Sequence, residues 1–452
     1  MVDVRSDQQC KLQDIDEVRQ KLHDKIMKLE RPKYFYAYPP KDAYKPFTDS
    51  KAVSQSWTTV AGPVNIYVHI PYCDYKCHYC KLFSIMSNSA ETSEQYVSAL
   101  LRESNLVGNC INKDSVEIAS IYLGGGTPTI LSTKQLETIL NHFSNEFYIN
   151  NNLEIGIEST PTNISKDKCR ELVGLGFNRI SIGIQSFITN ELYAAGRKYN
   201  SDTAYKIIST AIESGFRNVN IDLIFGLAEQ TFETWQKSLE IAVELGITTI
   251  TLYPLVIQNR KYYQEINSNI ANGANLYKMY DFAVVFLESN GYIQQTQINF
   301  VKGGGGCQYE ANESVGIPTM GLGAGSRSYT QYLHYTNDDY VNKTSSRDII
   351  EAYLKINDEI PVRSAVILNK EEIKRRYIMY HLLFQGINKE EYFIHFNELI
   401  ENRFFNEFKV LEEGNYINNN NSSITLTKIG RKYSSIIASL FYSSENEKYL
   451  PF

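Results

Sequence analysis

Along the chain, apolar positions change period again and again. Runs rich in β-branched and aromatic residues occupy 64–70, 117–123, 153–158, 178–184, 218–224 and 248–253, and each predicts a buried strand. Between them, apolar residues recur at three- and four-residue steps over 91–107, 132–147, 165–175, 201–214 and 231–245, the spacing of amphipathic helices. Gly176, Gly215 and Gly246 stand just past three of these helices, where a left-handed cap favours glycine. Strands alternating with crossover-sized helices predict a parallel sheet. Six such units fall short of the eight that close a barrel. The expected fold is α/β: a partial, open, TIM-like (β/α)6 barrel.

The flanks read differently. Leu12, Ile15, Val18, Leu22, Ile26 and Leu29 predict a helix over 11–30. Pro32, Pro39 and Pro40 then exclude helix, and the aromatic segment Tyr34 to Phe47 reads as an extended strap. Such a strap covers apolar surface or lines the mouth of a site. After the sixth strand, residues 274–290 predict a helix ending at Gly291. Residues 366–446 read as a small α+β domain, with a polar tip at Asn418 to Asn421. The expected division is an N-terminal helix and strap over 1–62, the barrel with an extension over 63–335, and the small domain over 336–452.

Composition narrows the function. A chain of 452 residues can bury more than one core. Its net charge of −6, with basic residues dispersed, predicts no nucleic-acid partner. The opening MVDVRSDQQC has no apolar core of a signal peptide, and no apolar run approaches the ~18 residues of a membrane span. Seven cysteines, an odd number, fit a reducing cytoplasm. The expectation is a cytoplasmic monomer without a membrane partner. The 33 tyrosines read as compositional bias and carry no function.

The chemistry concentrates after the first strand, in VNIYVHIPYCDYKCHYCKLF. Pro71 ends the strand, and Cys73, Cys77 and Cys80 follow with C-x3-C-x2-C spacing. Thiols this close point to a metal. A four-iron cubane normally takes four thiolates, so three would leave one iron open. The alternative is a zinc knot completed by His69 or His78, but no second paired arm follows. The other strand ends are polar or glycine-rich too. Gly124-Gly125-Gly126-Thr127-Pro128 follows the second, Glu158 ends the third, and Gln185-Ser186 ends the fourth. Asp222 lies on the fifth, and Tyr253-Pro254-Leu255 ends the sixth. In parallel barrels the C-terminal strand ends carry the active site. Glycines there admit a ligand's close approach. Glu158 can accept from a hydroxyl or ammonium, Gln185 can donate and accept, and Arg197 offers a fork for a carboxylate. Cys307 and Gln308, beyond the glycines 303–306, are candidates to move a proton or hydrogen atom near the substrate; the alternative is a structural cysteine in a lid.

The cysteine spacing resembles the radical S-adenosylmethionine (SAM) signature, and YVHIPYC is similar to the branch of the oxygen-independent coproporphyrinogen III oxidases. The resemblance implies a [4Fe–4S] cluster on Cys73, Cys77 and Cys80, with SAM chelating the open iron and split by one electron into methionine and a deoxyadenosyl radical. It implies two SAM molecules. Tyr67, Gly125, Glu158 and Arg327 would touch the cluster-bound one, with Tyr67 also at the reacting centre. Tyr79, Gly126, Thr127, Gln185, Arg197, Asp222 and Val256 would touch the second. The tail resembles the family's winged-helix-like domain, and an electron donor of flavodoxin or ferredoxin type is implied. Leu82 stands where the oxidases carry a fourth cysteine. The strap, Cys307-Gln308 and GLGAGSRSYT look closer to class C radical SAM methyltransferases. That predicts methyl or methylene transfer to an sp2 carbon of a small-molecule or peptide-derived unsaturated substrate. Alternatives within the family are tetrapyrrole chemistry and haem binding by a chaperone.

Overall fold

The structure is a computed structural model that describes residues 4–86, 90–256 and 273–449, with the side chains of 4–13, 90 and 151 outside the description. Contacts divide the chain into two units: one of 1–43, 294–298 and 369–452, and one of 44–293 and 299–368. This division departs from the expected boundaries near 62 and 335. The reason is that strand pairing in the larger unit runs on past 335 and returns to residues 45–46.

Six parallel strands form the larger unit's heart: β1 (Gly62–Ile70), β2 (Val116–Gly125), β3 (Ile149–Ser159), β4 (Arg179–Gln185), β5 (Asn218–Phe225) and β6 (Thr249–Pro254). Each pairs in parallel with the next. The crossovers are helices Ala90–Gly108, Thr133–Glu146, Lys166–Gly174, Ser201–Glu213 and Phe232–Glu244, within two residues of the sequence expectation. Ser132, Ser165, Asn200 and Thr231 cap the last four of these through side-chain oxygens. The sheet stays open. At one margin β7 (Asn299–Val301) runs antiparallel to β6. At the other, β8 (Thr319–Leu322) lies parallel to β1, followed by the antiparallel β9 (Arg327–Tyr329), β10 (Leu333–Thr336) and β11 (Ser364–Ile367). The two-residue strand Lys45–Pro46 ends that margin.

Alternation along the strands sorts side chains into two environments. Ile66, Val68, Ile70, Leu123, Ile157, Ile182 and Leu223 join the apolar core with helix residues such as Leu100, Leu136 and Trp235. The positions between them are polar and bond to one another inside the barrel: Ser120 donates to Asn65 at 2.7 Å, and Asn220 donates to Ser181 at 2.8 Å. Buried polar groups persist where they find partners, so the interior is polar yet ordered.

The smaller unit holds helix Val4–Met27, helix Lys370–Phe384 and a three-stranded sheet of Ile387–Asn388, Ser423–Leu426 and Ile417–Asn419. Helices between the first strand and the hairpin, and a polar hairpin tip at Asn420, match a winged-helix-like arrangement. The strap serves both units. Tyr38 is buried in the smaller one against Tyr442, with ring centroids 4.8 Å apart, whereas Tyr44 is buried in the larger. Cys169 is a buried core residue, Cys110 donates to the Leu106 carbonyl, and the Cys10 side chain lies outside the described residues.

The loop Gly321–Ser328 after β8 is held by a buried carboxyl. Glu103 accepts from the Gly323 N–H at 2.7 Å and from the Tyr353 hydroxyl at 2.6 Å. Burial pushes Glu103 up to about 7 from an ordinary 4.5, against these two bonds. A raised acid contributes stability that is complete below 4.5 and is lost as pH rises through about 7. Glu103→Gln, neutral at every pH, is therefore expected to gain on the wild type between pH 5 and 8, by on the order of 3 kcal/mol. Melting temperatures of both proteins across that range check this; parallel curves would refute it.

Candidate functional site

Three loops meet at the C-terminal ends of β1, β2 and β4. The cysteine loop is closed at its base, where Tyr72–Cys73 pairs with Ile85–Met86. Within it, Cys80 N–H donates to the Cys77 carbonyl at 3.2 Å, and Lys76 donates to Ser84 Oγ at 2.9 Å. His78 ties the loop to the end of helix Thr189–Ala194 through its N–H to Ala195 O and Nδ1 to Ala194 O. The glycine loop after β2 docks onto the same segment. Gly126 and Thr127 N–H groups donate to the Ile70 and Tyr72 carbonyls at 2.8 Å, and Thr127 Oγ1 points at Cys73 Sγ, 3.7 Å away.

Cys73, Cys77 and Cys80 are partly exposed and free. Burial raises the Cys73 and Cys77 thiols, and Cys80's proximity raises both further. Such thiols ionise only when a cation compensates them, which fits a shared metal cluster. Among the described residues no three His, Cys, Asp or Glu side chains converge on a single ion. His69 has both ring nitrogens engaged, by the Tyr67 hydroxyl and the Phe83 carbonyl, and His78 Nδ1 bonds the Ala194 carbonyl. Three thiols gathered in one loop suit the iron–sulfur cluster that the cysteine spacing resembles.

Beside the thiols sits a carboxylate pocket. Glu158 accepts from the Gly125 N–H at 3.0 Å and from the Tyr122 hydroxyl at 3.1 Å. Burial, then the nearby Asp222, pushes Glu158 up to about 7. Burial likewise lifts Asp222 to about 6, against a 2.9 Å bond from Asn220. Two partly buried acids side by side, both lifted by desolvation, make a site for a cationic group. Gly124 leaves room for Glu158 and Tyr67, since a Cβ there would lie 3.1 Å from both. Tyr67 donates to or accepts from His69 Nδ1 at 3.1 Å.

On the β4 side, Arg197 is buried with its Nη atoms on the Tyr75 and Tyr79 hydroxyls, and its Nε has no hydrogen-bond partner. Gln185, at φ 73°, is left-handed, and a β-bulge precedes it. That strained backbone is the kind that persists where a side chain must be aimed. Gly183 makes way for Gln185 and Arg197, whose side chains would crowd a Cβ at 2.8 and 3.4 Å. Arg327 opens β9 and donates through Nε to Tyr340 at 2.7 Å; burial first, and the Arg327 charge to a lesser degree, lower the His69 imidazole. Val256 follows β6 and is 41% exposed.

Cys307 and Gln308 are not at this rim. The Gly306 carbonyl accepts from Arg179 Nε at 2.8 Å and from Asn218, and its N–H donates to Thr249 Oγ1 at 2.9 Å. These are the first residues of β4, β5 and β6, so the glycine run lies at the opposite end. Gln308 N–H bonds Glu154, in the middle of β3. The expectation that this pair acts on substrate is corrected. The reason is that a parallel barrel puts the residues entering β8 at the end where strands begin. Sequence reading missed Tyr122 and Tyr309, and weighed His69 only as a zinc ligand. Strand alternation is the signal that could have put Tyr122 and His69 inside the barrel; nothing local marks Tyr309.

The family profile described as the Radical SAM superfamily matches residues 67–242. The chain is 25% identical over 373 residues to Heme chaperone HemW of Bacillus subtilis, covering 81% of this chain and 95% of that protein. It is 26% identical over 388 residues to Heme chaperone HemW of Haemophilus influenzae, covering 85% and 99%. It is 24% identical over 398 residues to the oxygen-independent coproporphyrinogen III oxidase of Helicobacter pylori, covering 81% and 83%. In fold it resembles coproporphyrinogen III oxidase (HemN) from Escherichia coli, with a TM-score of 0.77, 21% identity, and coverage of 90% and 96%. These likenesses overturn the expectation of methyl transfer to a natural-product-type substrate, which rested on the wording of short loops. The relatives aligned along most of the chain are named for haem and coproporphyrinogen.

Gly125 gives the site's sharpest steric test. Its φ is +111°, and a Cβ would lie 2.6 Å from the His69 ring, whereas Gly62, at φ +84°, has nothing within 4 Å. Gly125→Ala is expected to destabilise by about 1–3 kcal/mol, and more than Gly62→Ala. Chemical denaturation of both variants checks the order; equal losses would refute the clash.

Proposed function

The chain belongs to the radical SAM superfamily, in the branch of the oxygen-independent coproporphyrinogen III oxidases, and from that premise we propose that it handles a tetrapyrrole, as a haem-binding protein akin to the Heme chaperone HemW relatives. It takes a [4Fe–4S] cluster and SAM. Cys73, Cys77 and Cys80 would hold the cluster. Tyr67, Gly125, Glu158 and Arg327 would meet the SAM beside it. When bound, the cluster supplies the single electron that cleaves SAM. The chain's own part is to orient that cosubstrate. Glu158, fixed by Gly125 and Tyr122, presents an acceptor to its cationic or hydroxyl groups. The observation that carries the proposal is one rim joining three thiols to a partly buried acid pocket, in a chain that aligns with nearly the whole length of the haem chaperones. A cytoplasmic setting and a one-electron donor of flavodoxin or ferredoxin type belong to the same proposal. Among the described residues no helix is long and apolar enough to cross a membrane.

A second reading is dehydrogenation of a porphyrinogen. What favours it is the set Tyr79, Gln185, Arg197 and Asp222, together with Gly126, Thr127 and Val256, which would suit a second SAM. Buried Arg197, its Nε lacking a partner, fits a carboxylate. Leu82 in place of a fourth cysteine, 49% exposed, sets the chain apart from the oxidases.

The deciding experiment uses anaerobically reconstituted protein. Haem titration is followed by Soret absorbance. In parallel, protein with SAM, dithionite and coproporphyrinogen III is assayed for 5′-deoxyadenosine. Stoichiometric haem binding, with cleavage that does not respond to coproporphyrinogen, is the expected result. Porphyrinogen-dependent cleavage without haem binding would establish the second reading. Neither response would overturn the tetrapyrrole assignment.

SAM affinity should also depend on pH. A cationic ligand favours ionised Glu158 and Asp222, which burial lifts to about 7 and about 6. Below those values binding must expel protons, so the SAM Kd is expected to fall as pH rises from 5.5 to 8, by up to roughly tenfold per unit for each proton released. Glu158→Gln should flatten the upper part of that slope. Equilibrium dialysis at several pH values checks it, and a slope unchanged by the substitution would refute the role of Glu158.

A further inference from the structure

The geometry points to Tyr309 as a positioning residue for the SAM site, acting from the far end of the barrel. The inference rests on the reading above, in which Tyr67 and Glu158 meet SAM.

Helix Gln308–Ser314 is anchored to strand residues of the larger unit. Asn312 Nδ2 donates to Asn65 of β1 at 2.8 Å, and Gln308 N–H to Glu154 of β3 at 2.7 Å. The preceding Gly306 is fixed by Arg179, Asn218 and Thr249 of β4, β5 and β6. Contacts from five strands leave this short helix little freedom. It acts as a stopper for the open barrel, and the second residue of the stopper is Tyr309.

The Tyr309 ring lies 5.3 Å from Tyr122 at an interplanar angle of 17°, and 5.8 Å from Tyr67 at 28°. Tyr67 and Tyr122 are themselves 6.4 Å apart and 13° from parallel. Three rings in offset stacking hold one another's planes. The two strand tyrosines then deliver their hydroxyls upward: Tyr122 to Glu158 at 3.1 Å, Tyr67 to His69 at 3.1 Å. His69 in turn lies against Gly125, whose N–H is the other donor to Glu158. Tyr309 thus backs both aromatic supports of the acid pocket while touching neither the thiols nor Glu158 in any hydrogen bond described. Its part is steric and aromatic: the flat face, not the hydroxyl, carries it. Tyr309→Phe should preserve the function, and Tyr309→Leu, similar in bulk but without a face, should not.

The test compares wild type, Tyr309→Phe and Tyr309→Leu, each anaerobically reconstituted and matched for iron content, circular dichroism and melting temperature. SAM Kd is measured by equilibrium dialysis with the cluster oxidised, so that nothing is cleaved, and the electron paramagnetic resonance signal of the reduced cluster is recorded with and without SAM. Tyr309→Leu is expected to weaken SAM binding by roughly five- to tenfold and to shrink the SAM-induced change in the signal, with Tyr309→Phe close to wild type. An unchanged Kd in Tyr309→Leu, or equal impairment of Tyr309→Phe, would overturn the assignment while wild-type binding upholds the functional reading. If Tyr309→Leu does not fold, Tyr309→Met serves with the same outcomes. Wild-type protein that binds no SAM would overturn both.

Discussion

A partly buried carboxylate tied to one backbone N–H and one phenol is the constraint on which the proposed site depends. Glu158 closes β3 by accepting from Gly125 at the end of β2 and from Tyr122 further down the same strand. The arrangement requires a glycine where a Cβ would strike His69, and it requires the carboxyl to sit where water cannot stabilise its charge. Both are costs to the empty fold. They persist because the surrounding sheet, buried on both faces, leaves the backbone no alternative.

The interior of this barrel is layered by chemistry. Apolar side chains face the helices and make the bulk of the core. Amides, hydroxyls, Arg179 and several acids face inward and bond to one another. At one end the layers open onto the thiol loop. At the other they are sealed by a short helix that lends an aromatic ring to the middle layer. An open sheet of six parallel strands cannot close on itself; the strands added at its margins and the helix within it complete the wall.

Much of this was legible in the residues. Period changes located the six strands and five crossover helices, because strand and helix set different spacings on the apolar residues that face the core. The C-x3-C-x2-C spacing picked out the thiol loop, since thiols so close in sequence lie close in space. What escaped the sequence were contacts between distant segments. Nothing local to Cys307 reveals that Gly306 is gripped by Arg179 and Asn218, and a glycine run looks the same at either end of a barrel. The larger unit's strands past residue 318 are three or four residues long, below what periodicity can resolve. Function was misread for a related reason: short loop wording was weighed above similarity along the chain's length.

The margin formed by Lys45 and Pro46 has an implication for solubility. They pair with Ala365 and Ser364 as the outermost rung of the large sheet. A bare outer strand would offer its row of amides to any passing chain, and β-rich assemblies grow that way. Proline has no hydrogen to donate, and lysine resists entering a stacked, dehydrated seam. Two residues from the strap therefore end the ladder for good on that side and guard the folded protein against self-association into fibrils.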